Sequence, residues 1–175
     1  VINRMGGTAV NLPGGEIMPA LQSGVIDATE WVGPWNDLAF GFYKIAKYYY
    51  GPGFHEPSSA LECLVNLEAY NALPKDLQSI VRYACKAENV GMVSEFTARN
   101  SASQTVLVND HGVQIRHFPD DVVKTAFAIA GEVVAETAGF DSLAKKIHEN
   151  WSHFREEAMA RGPFAEQGYM NNRAL

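Results

Sequence analysis

Two acidic residues sit where a carboxylate could do chemistry. Glu30 lies in Val25-Ile-Asp-Ala-Thr-Glu-Trp-Val-Gly-Pro34, beside Trp31 and just ahead of a Gly-Pro turn. Read as the end of an apolar strand, this is where α/β proteins place ligand sites. A glutamate there can give one or two hard oxygens to a cation, and a backbone carbonyl at the turn can add another. Trp31 would wall such a site with an apolar ring and one N–H donor. A surface carboxylate beside a core tryptophan explains the same residues. The second candidate is Glu56 in Phe54-His-Glu-Pro57, held between two turns beside aromatics. A solvated loop glutamate is the plainer reading of it.

Other chemistry finds less support. There is no Gly-x-Ser-x-Gly elbow, and neither cysteine stands in a glycine-rich catalytic setting. The five histidines are scattered, and His148 and His153 miss the i, i+4 spacing that pairs zinc ligands on a helix. Gly14-Gly15 and Gly51-Pro-Gly53 read as turns, because no Gly-Lys-Ser/Thr or Gly-x-Gly-x-x-Gly accompanies them. Asn36 and Asp37 read as helix caps, and Tyr48-Tyr49-Tyr50 as strand packing. Asn150-Trp-Ser152 is a formal glycosylation sequon inside an expected helix. Cys63 and Cys85 read as buried thiols or a single bridge.

Composition sets the outer bounds. In 175 residues, 47% are hydrophobic and 19% charged, enough for a core and too apolar for a disordered chain. Fourteen basic residues against twenty acidic ones leave a net charge of −6, which argues against nucleic acid as a partner and against a polybasic membrane anchor. Apolar windows break at Lys44, Glu132 or Glu136, short of a membrane span. No leader is visible, and a start on Val1 suggests a processed product or a fragment.

The elements that would position these residues follow from periodicity and punctuation. Short helices are expected over 16–23, closed by Gly24, and over 35–45. Short strands are expected over 25–31, 46–50 and 60–66, and an alternating one over 113–118. After a short helix over 67–73, Pro74-Lys-Asp76 opens a stripe of Leu77, Ile80, Val81 and Ala84 that resumes at Met92, Val93 and Phe96. With no proline from Lys75 to Gly112, this predicts one helix of about 35 residues, near 50 Å long. Two more helices are expected over 119–139 and 141–161, and a loose polar tail from Phe164. The fold class is α/β, with short strands and one very long helix.

Together, Asn11-Leu-Pro-Gly-Gly-Glu16, Pro19 through Pro34 and Gly41 through Tyr50 resemble the solute-binding proteins of tripartite ATP-independent periplasmic (TRAP) transporters. The likeness continues through Leu73-Pro-Lys-Asp-Leu77 into the long helix, and Asp27-Ala-Thr-Glu-Trp31 points to the branch that binds 2-oxo and 2-hydroxy monocarboxylates with a metal ion. The resemblance implies a two-lobed, periplasmic-binding-protein-like fold that closes by a hinge, here in its C-terminal part. Residues 1–30 would belong to the second lobe, 31–64 would return to the first, and 65–175 would complete the second. It further implies that Glu30 binds a cation, Na⁺ or Ca²⁺, through its side chain, that Trp31 does so through its carbonyl, and that Trp31 and Glu56 face the substrate. The arginine and glutamine that complete the family's pocket are expected upstream of Val1.

The implied function is capture of a small monocarboxylate, such as pyruvate or lactate, in the periplasm and delivery to the transporter's membrane permease, without catalysis. A bridging cation makes physical sense, because it offsets repulsion between the glutamate and the substrate carboxylate in a closed cleft. A homodimer is left open by the apolar positions Ile147, Trp151 and Phe154. Two competing readings are a metal-dependent enzyme domain using Glu30 and Glu56, and a helical interaction module over residues 75–161. The first lacks an accompanying histidine ligand or general base.

Overall fold

A computed structural model describes residues 1–56 and 59–174. Among these residues, seven α-helices and two short strands follow in the order α1 (Gly14–Ser23), α2 (Pro34–Phe40), β1 (Tyr48–Tyr50), α3 (Leu67–Ala72), α4 (Lys75–Asn109), β2 (Gln114–Arg116), α5 (Asp120–Ala138), α6 (Ser142–Arg161) and α7 (Glu166–Arg173). They form two compact units. One joins Val1–Ala9 to the chain from Asp120 onward, and the other is Val10–Pro119.

The second unit holds both candidate carboxylates. Its core is Ile17 and Leu21 of α1 with Phe42, against which Leu12, Met18, Ile26, Trp31 and Ile45 pack. Ile17 and Leu21 are four apart and therefore share the face of α1 that turns inward. Gly24 closes α1 at φ 71°, its N–H returning to Ala20 and Leu21 carbonyls. The helix starts at Gly14, two residues before the expected Glu16, so Pro19 lies in its interior.

α4 is the long helix the stripe predicted, 35 residues from Lys75 to Asn109. It ends where Gly112, at φ 67°, lets the chain reverse and the Val113 N–H reach the Leu107 carbonyl at 3.0 Å. Burial along α4 is confined to its ends, at Gln78, Ser103 and Leu107. α2 packs near the second of these: Trp35 meets Phe96 edge-on with ring centroids 5.0 Å apart, and Asn100 Oδ1 accepts the Trp35 backbone N–H at 3.0 Å.

β1 and β2 pair in parallel, Tyr49 opposite Ile115. The tyrosine run divides by the strand's period of two. Tyr48 lies under the Arg116 guanidinium and Tyr50 stacks on Phe118, while Tyr49 reaches the buried carboxylate of Asp37.

Two expected strands do not form. Over 25–31 the first amides are already taken, since the Val25 and Ile26 N–H groups bond the Ala20 carbonyl and close α1. Residues 59–66 have no ladder partner among the described residues. The expected helix over 35–45 is α2 followed, after Gly41, by a single 3₁₀ turn at Phe42–Lys44.

The other unit is helical. α6 is capped as its sequence dictates, Asp141 Oδ1 accepting the Ala144 N–H at 2.7 Å. Arg4 makes a two-pronged contact with Glu136 of α5, at 2.6 and 3.0 Å. The expected loose tail is instead α7, joined to α6 by a 3₁₀ turn at Gly162–Phe164 because Gly162 stays in the right-handed helical region. Among the described residues, no helix is long and apolar enough to cross a membrane.

Candidate functional site

Glu30 and Glu56, distant in sequence, come together in the Val10–Pro119 unit. Each of Glu30, His55 and Glu56 offers one ligand atom, and these atoms lie within 4.8 Å of one another. His55 Nε2 stands between the carboxylates, 3.8 Å from Glu30 Oε2 and 3.7 Å from Glu56 Oε1. All three side chains remain open to solvent. Two facing carboxylates repel, and a positive charge between them relieves the repulsion. Their oxygens are the hard donors that Na⁺ and Ca²⁺ take, so the donor set fits the expected cation. The imidazole nitrogen is the softer member and suits those ions less.

Each carboxylate is placed by different means. On the Glu30 side, the Trp31 ring packs into the core and lies 5.0 Å from Phe40, centroid to centroid. Gly14 is also close to the ring, since a Cβ there would stand only 2.6 Å from Trp31 Cη2. No side chain other than hydrogen fits there, which gives the Asn11-Leu-Pro-Gly-Gly-Glu16 run a structural reason. Six residues after Trp31, Asp37 is 8% exposed. Tyr49 donates to Asp37 Oδ2. Burial pushes the Asp37 carboxyl above its ordinary value, while the Tyr49 hydroxyl and the Val32 and Gly33 amides pull it down. The Tyr49 phenol is driven upward by burial first, then by Asp37, and finally by the charge of Glu30. Neither Asn36 nor Asp37 is thus the expected helix cap; the cap position is Gly33, and no side chain caps the helix.

On the Glu56 side, the support is an aromatic stack on the small sheet. Tyr50 stacks on Phe118, Phe118 meets Phe54 edge-on at 5.6 Å, and Phe54 precedes His55. The turn is tight enough that a Cβ on Gly53 would stand 2.8 Å from the Glu56 carbonyl oxygen.

Three side-chain atoms of the 31–37 stretch are buried without a hydrogen-bond partner among the described residues: Trp31 Nε1, Asn36 Oδ1 and Asp37 Oδ1. The residues that sequence reasoning passed over are therefore His55, which has no local signature beyond its neighbour Glu56, and the Asp37–Tyr49 pair. That pair had a usable signal, an acidic residue in the first turn of an apolar helix followed by a tyrosine strand.

Comparison with known proteins identifies the family. The profile of family 7 of the bacterial extracellular solute-binding proteins, DctP, matches residues 1–139. A monocarboxylate 2-oxoacid-binding periplasmic protein of Nostoc sp. strain PCC 7120 is 37% identical over 98% of this chain and 47% of its own length. Among solved structures, a TRAP periplasmic solute-binding protein of Pseudoalteromonas atlantica T6c with bound sodium and pyruvate superposes with a TM-score of 0.90 at 37% identity. It covers 97% of this chain and 51% of its own. A Colwellia psychrerythraea counterpart, with bound calcium and pyruvate, reaches 0.91 at 37% identity, over 97% of this chain and 52% of its own. A TRAP transporter solute-binding protein of Bordetella bronchiseptica RB50, a dimer with calcium and picolinate, reaches 0.92 at 32% identity, over 98% and 51%. The chain thus spans about half the length of the relatives it matches. Its fold is that of the TRAP periplasmic binding proteins, and the chain belongs to the DctP family of bacterial extracellular solute-binding proteins.

Proposed function

We propose that this chain is part of a TRAP solute-binding protein that captures a small 2-oxo or 2-hydroxy monocarboxylate together with Na⁺ or Ca²⁺ in the periplasm. The observation that carries the reading is the convergence of Glu30 and Glu56 beside Trp31, in a chain whose relatives hold pyruvate with either cation. Glu30 would hold the cation by its carboxylate and Trp31 by its carbonyl, while Trp31 and Glu56 would face the acid. The cation would supply positive charge where two anionic groups meet. Capture would hand the acid to the membrane permease. In this reading residues 1–30 and 65–175 serve the second lobe and 31–64 the first.

The binding-protein reading is preferred to a metal-dependent enzyme using Glu30 and Glu56. The family is one of solute-binding proteins, and both carboxylates stand open to water rather than in a desolvated site tuned for proton transfer. A second copy would fit the assembly as well, since Ile147, Trp151 and Phe154 of α6 are exposed and the Bordetella relative is a dimer. Sedimentation of the full-length protein tests that point.

The deciding experiment is a tryptophan-fluorescence titration of the full-length protein with pyruvate, lactate and longer 2-oxo acids, with and without Na⁺ or Ca²⁺. Saturation that needs both acid and cation is expected. Saturation by acid alone would remove the cation from the mechanism, and turnover of the acid would return the enzyme reading.

A further inference from the structure

α4 is open to solvent over most of its length, and Cys85 on it is an exposed free thiol, as is Cys63, where buried or bridged ones were expected. The packed face of its second half is a narrow stripe. Met92, Phe96 and Asn100 are half-buried and Ser103 and Leu107 buried, spaced by three or four residues as one helix face requires. Asn100 carries an amide into that stripe, and a polar group on a packed face needs a partner. Its Oδ1 accepts the Trp35 backbone N–H at 3.0 Å.

That bond takes the place of a cap. Trp35 is the second residue of α2, and the N–H groups of a helix's first turn have no partner within the helix. Gly33, at the cap position, has no side chain to offer. Asn100, 65 residues along the chain, supplies the acceptor instead.

The same turn of α4 holds the Trp35 ring. Phe96 meets it edge-on with centroids 5.0 Å apart, and the Arg99 guanidinium lies 4.7 Å from its centroid. Arg99 is itself held by Glu95, Nε to Oε1 at 2.6 Å. Positions 96, 99 and 100 share one face of the helix, so a single socket takes both the ring and the backbone of Trp35. The fit is close, since a Cβ on Gly33 would stand 3.2 Å from Asn100 Oδ1.

The socket closes one end of the candidate cation edge. Trp31 is seated against Gly14 and Phe40, and Trp35 is seated on α4. Only Val32, Gly33 and Pro34 lie between them, and Pro34 fixes its own φ. The Trp31 carbonyl opens this short span and Glu30 immediately precedes it. A span anchored at both ends holds its carbonyls in place, and one released at Trp35 does not.

We propose that Asn100 is a positioning residue for cation capture: by seating Trp35 on α4, it holds the Glu30–Trp31 edge in the geometry the cation takes. The proposal rests on the function proposed above, in which Glu30 and the Trp31 carbonyl bind the cation. Asn100 acts through the Trp35 backbone and not on the cation itself.

The test is equilibrium dialysis of labelled pyruvate against the full-length protein. Ca²⁺ or Na⁺ is varied first, and pyruvate is then varied at saturating cation. N100A should raise the half-saturating cation concentration about tenfold, the lower end of what loss of a ligand-supporting residue costs, and leave pyruvate affinity at saturating cation within about twofold. N100D keeps an oxygen for the Trp35 N–H and should stay within about twofold of the parent in both. G33A presses on Asn100 from the other side, on extended backbone that any residue adopts. It should raise the cation requirement several-fold alone and add nothing in the N100A background, where the crowded side chain is gone.

Parallel losses of cation and acid affinity in N100A would show general loosening and overturn the positioning role. So would an unchanged cation requirement in N100A, an N100D as impaired as N100A, or additive effects of G33A and N100A. If N100A does not fold, G33A carries the test, and a cation requirement equal to the parent's would overturn the proposal. A parent that holds pyruvate without either cation, or shows no cation-dependent binding, would overturn the functional reading and the role of Asn100 with it. The other outcomes remove Asn100 alone.

Discussion

The two sides of the candidate site are built on opposite plans. Glu30 is attached to a packed edge: the next residue, Trp31, is seated against Gly14 and Phe40, and Asp37 and Tyr49 are joined in the interior behind it. Glu56 follows a tight turn, its aromatic support running from Phe54, edge-on to Phe118, to Tyr50 stacked on Phe118. An edge fixed by packing presents its carboxylate in one place, at a cost met before any ligand arrives. A carboxylate on a surface turn is free to adjust as ligand enters. Under the proposed function, the first side would recognise the cation and the second would adapt to the acid.

The largest effect should come from Glu30. E30A is expected to weaken cation-dependent acid binding by at least about 100-fold, since loss of a direct ligand should match or exceed loss of a supporting residue. The fold, followed by circular dichroism, should not change, because the side chain is exposed. Unchanged affinity would sink the assignment.

Next is G14A, which tests whether Trp31 is held by shape. A methyl group 2.6 Å from a rigid ring atom forces the ring or the start of α1 to move. Overpacking of this kind costs about 1–3 kcal/mol. Both thermal stability and tryptophan emission should shift, and acid binding should weaken with them. A variant that melts and binds like the parent would show that the Glu30 edge is not set by this contact.

E56A should then act more weakly than E30A, by about tenfold or less, and should change the ranking of acids more than the demand for cation. The expectation follows from its exposed, adjustable position. An equal loss in both variants would make the two carboxylates joint cation ligands and erase the contrast.

The same contrast explains what could be read from the sequence. Helices announce themselves locally. Pro74 and Gly112 bracket α4, Asp141 caps α6, and Gly24 ends α1, each by a chemistry contained within a few residues. Strands depend on a neighbour. The alternation over 60–66 was as suitable as that over 113–118, but only the second found a ladder, with Tyr48–Tyr50. The family motif singled out Glu30 and Trp31 as candidates, while His55 carried no signal. A lone histidine gains meaning only when folding sets it between two glutamates. Asp37 was misread because an aspartate at a helix start is usually a solvated cap, and only the fold shows Tyr49 closing over it.

Asp37 supplies the smallest and most specific test. Burial holds its carboxyl above the ordinary 3.8, so the folded protein binds a proton there more readily than the unfolded chain does. This group's contribution to stability is complete below the unfolded value. It is lost as pH rises through the folded one, with a slope of at most about 1.4 kcal/mol per pH unit. D37N keeps an oxygen to accept the Tyr49 hydroxyl and removes the titration. The variant should therefore lose this slope when unfolding midpoints are compared from about pH 4 to about pH 7. Relative to the parent it should gain stability toward neutral pH, where the parent must bury a charge. A parallel pH profile in parent and variant would mean that Asp37 stays ionised in its pocket. The packed edge would then carry a negative charge behind Glu30, and the case for a cation in front of it would be stronger still.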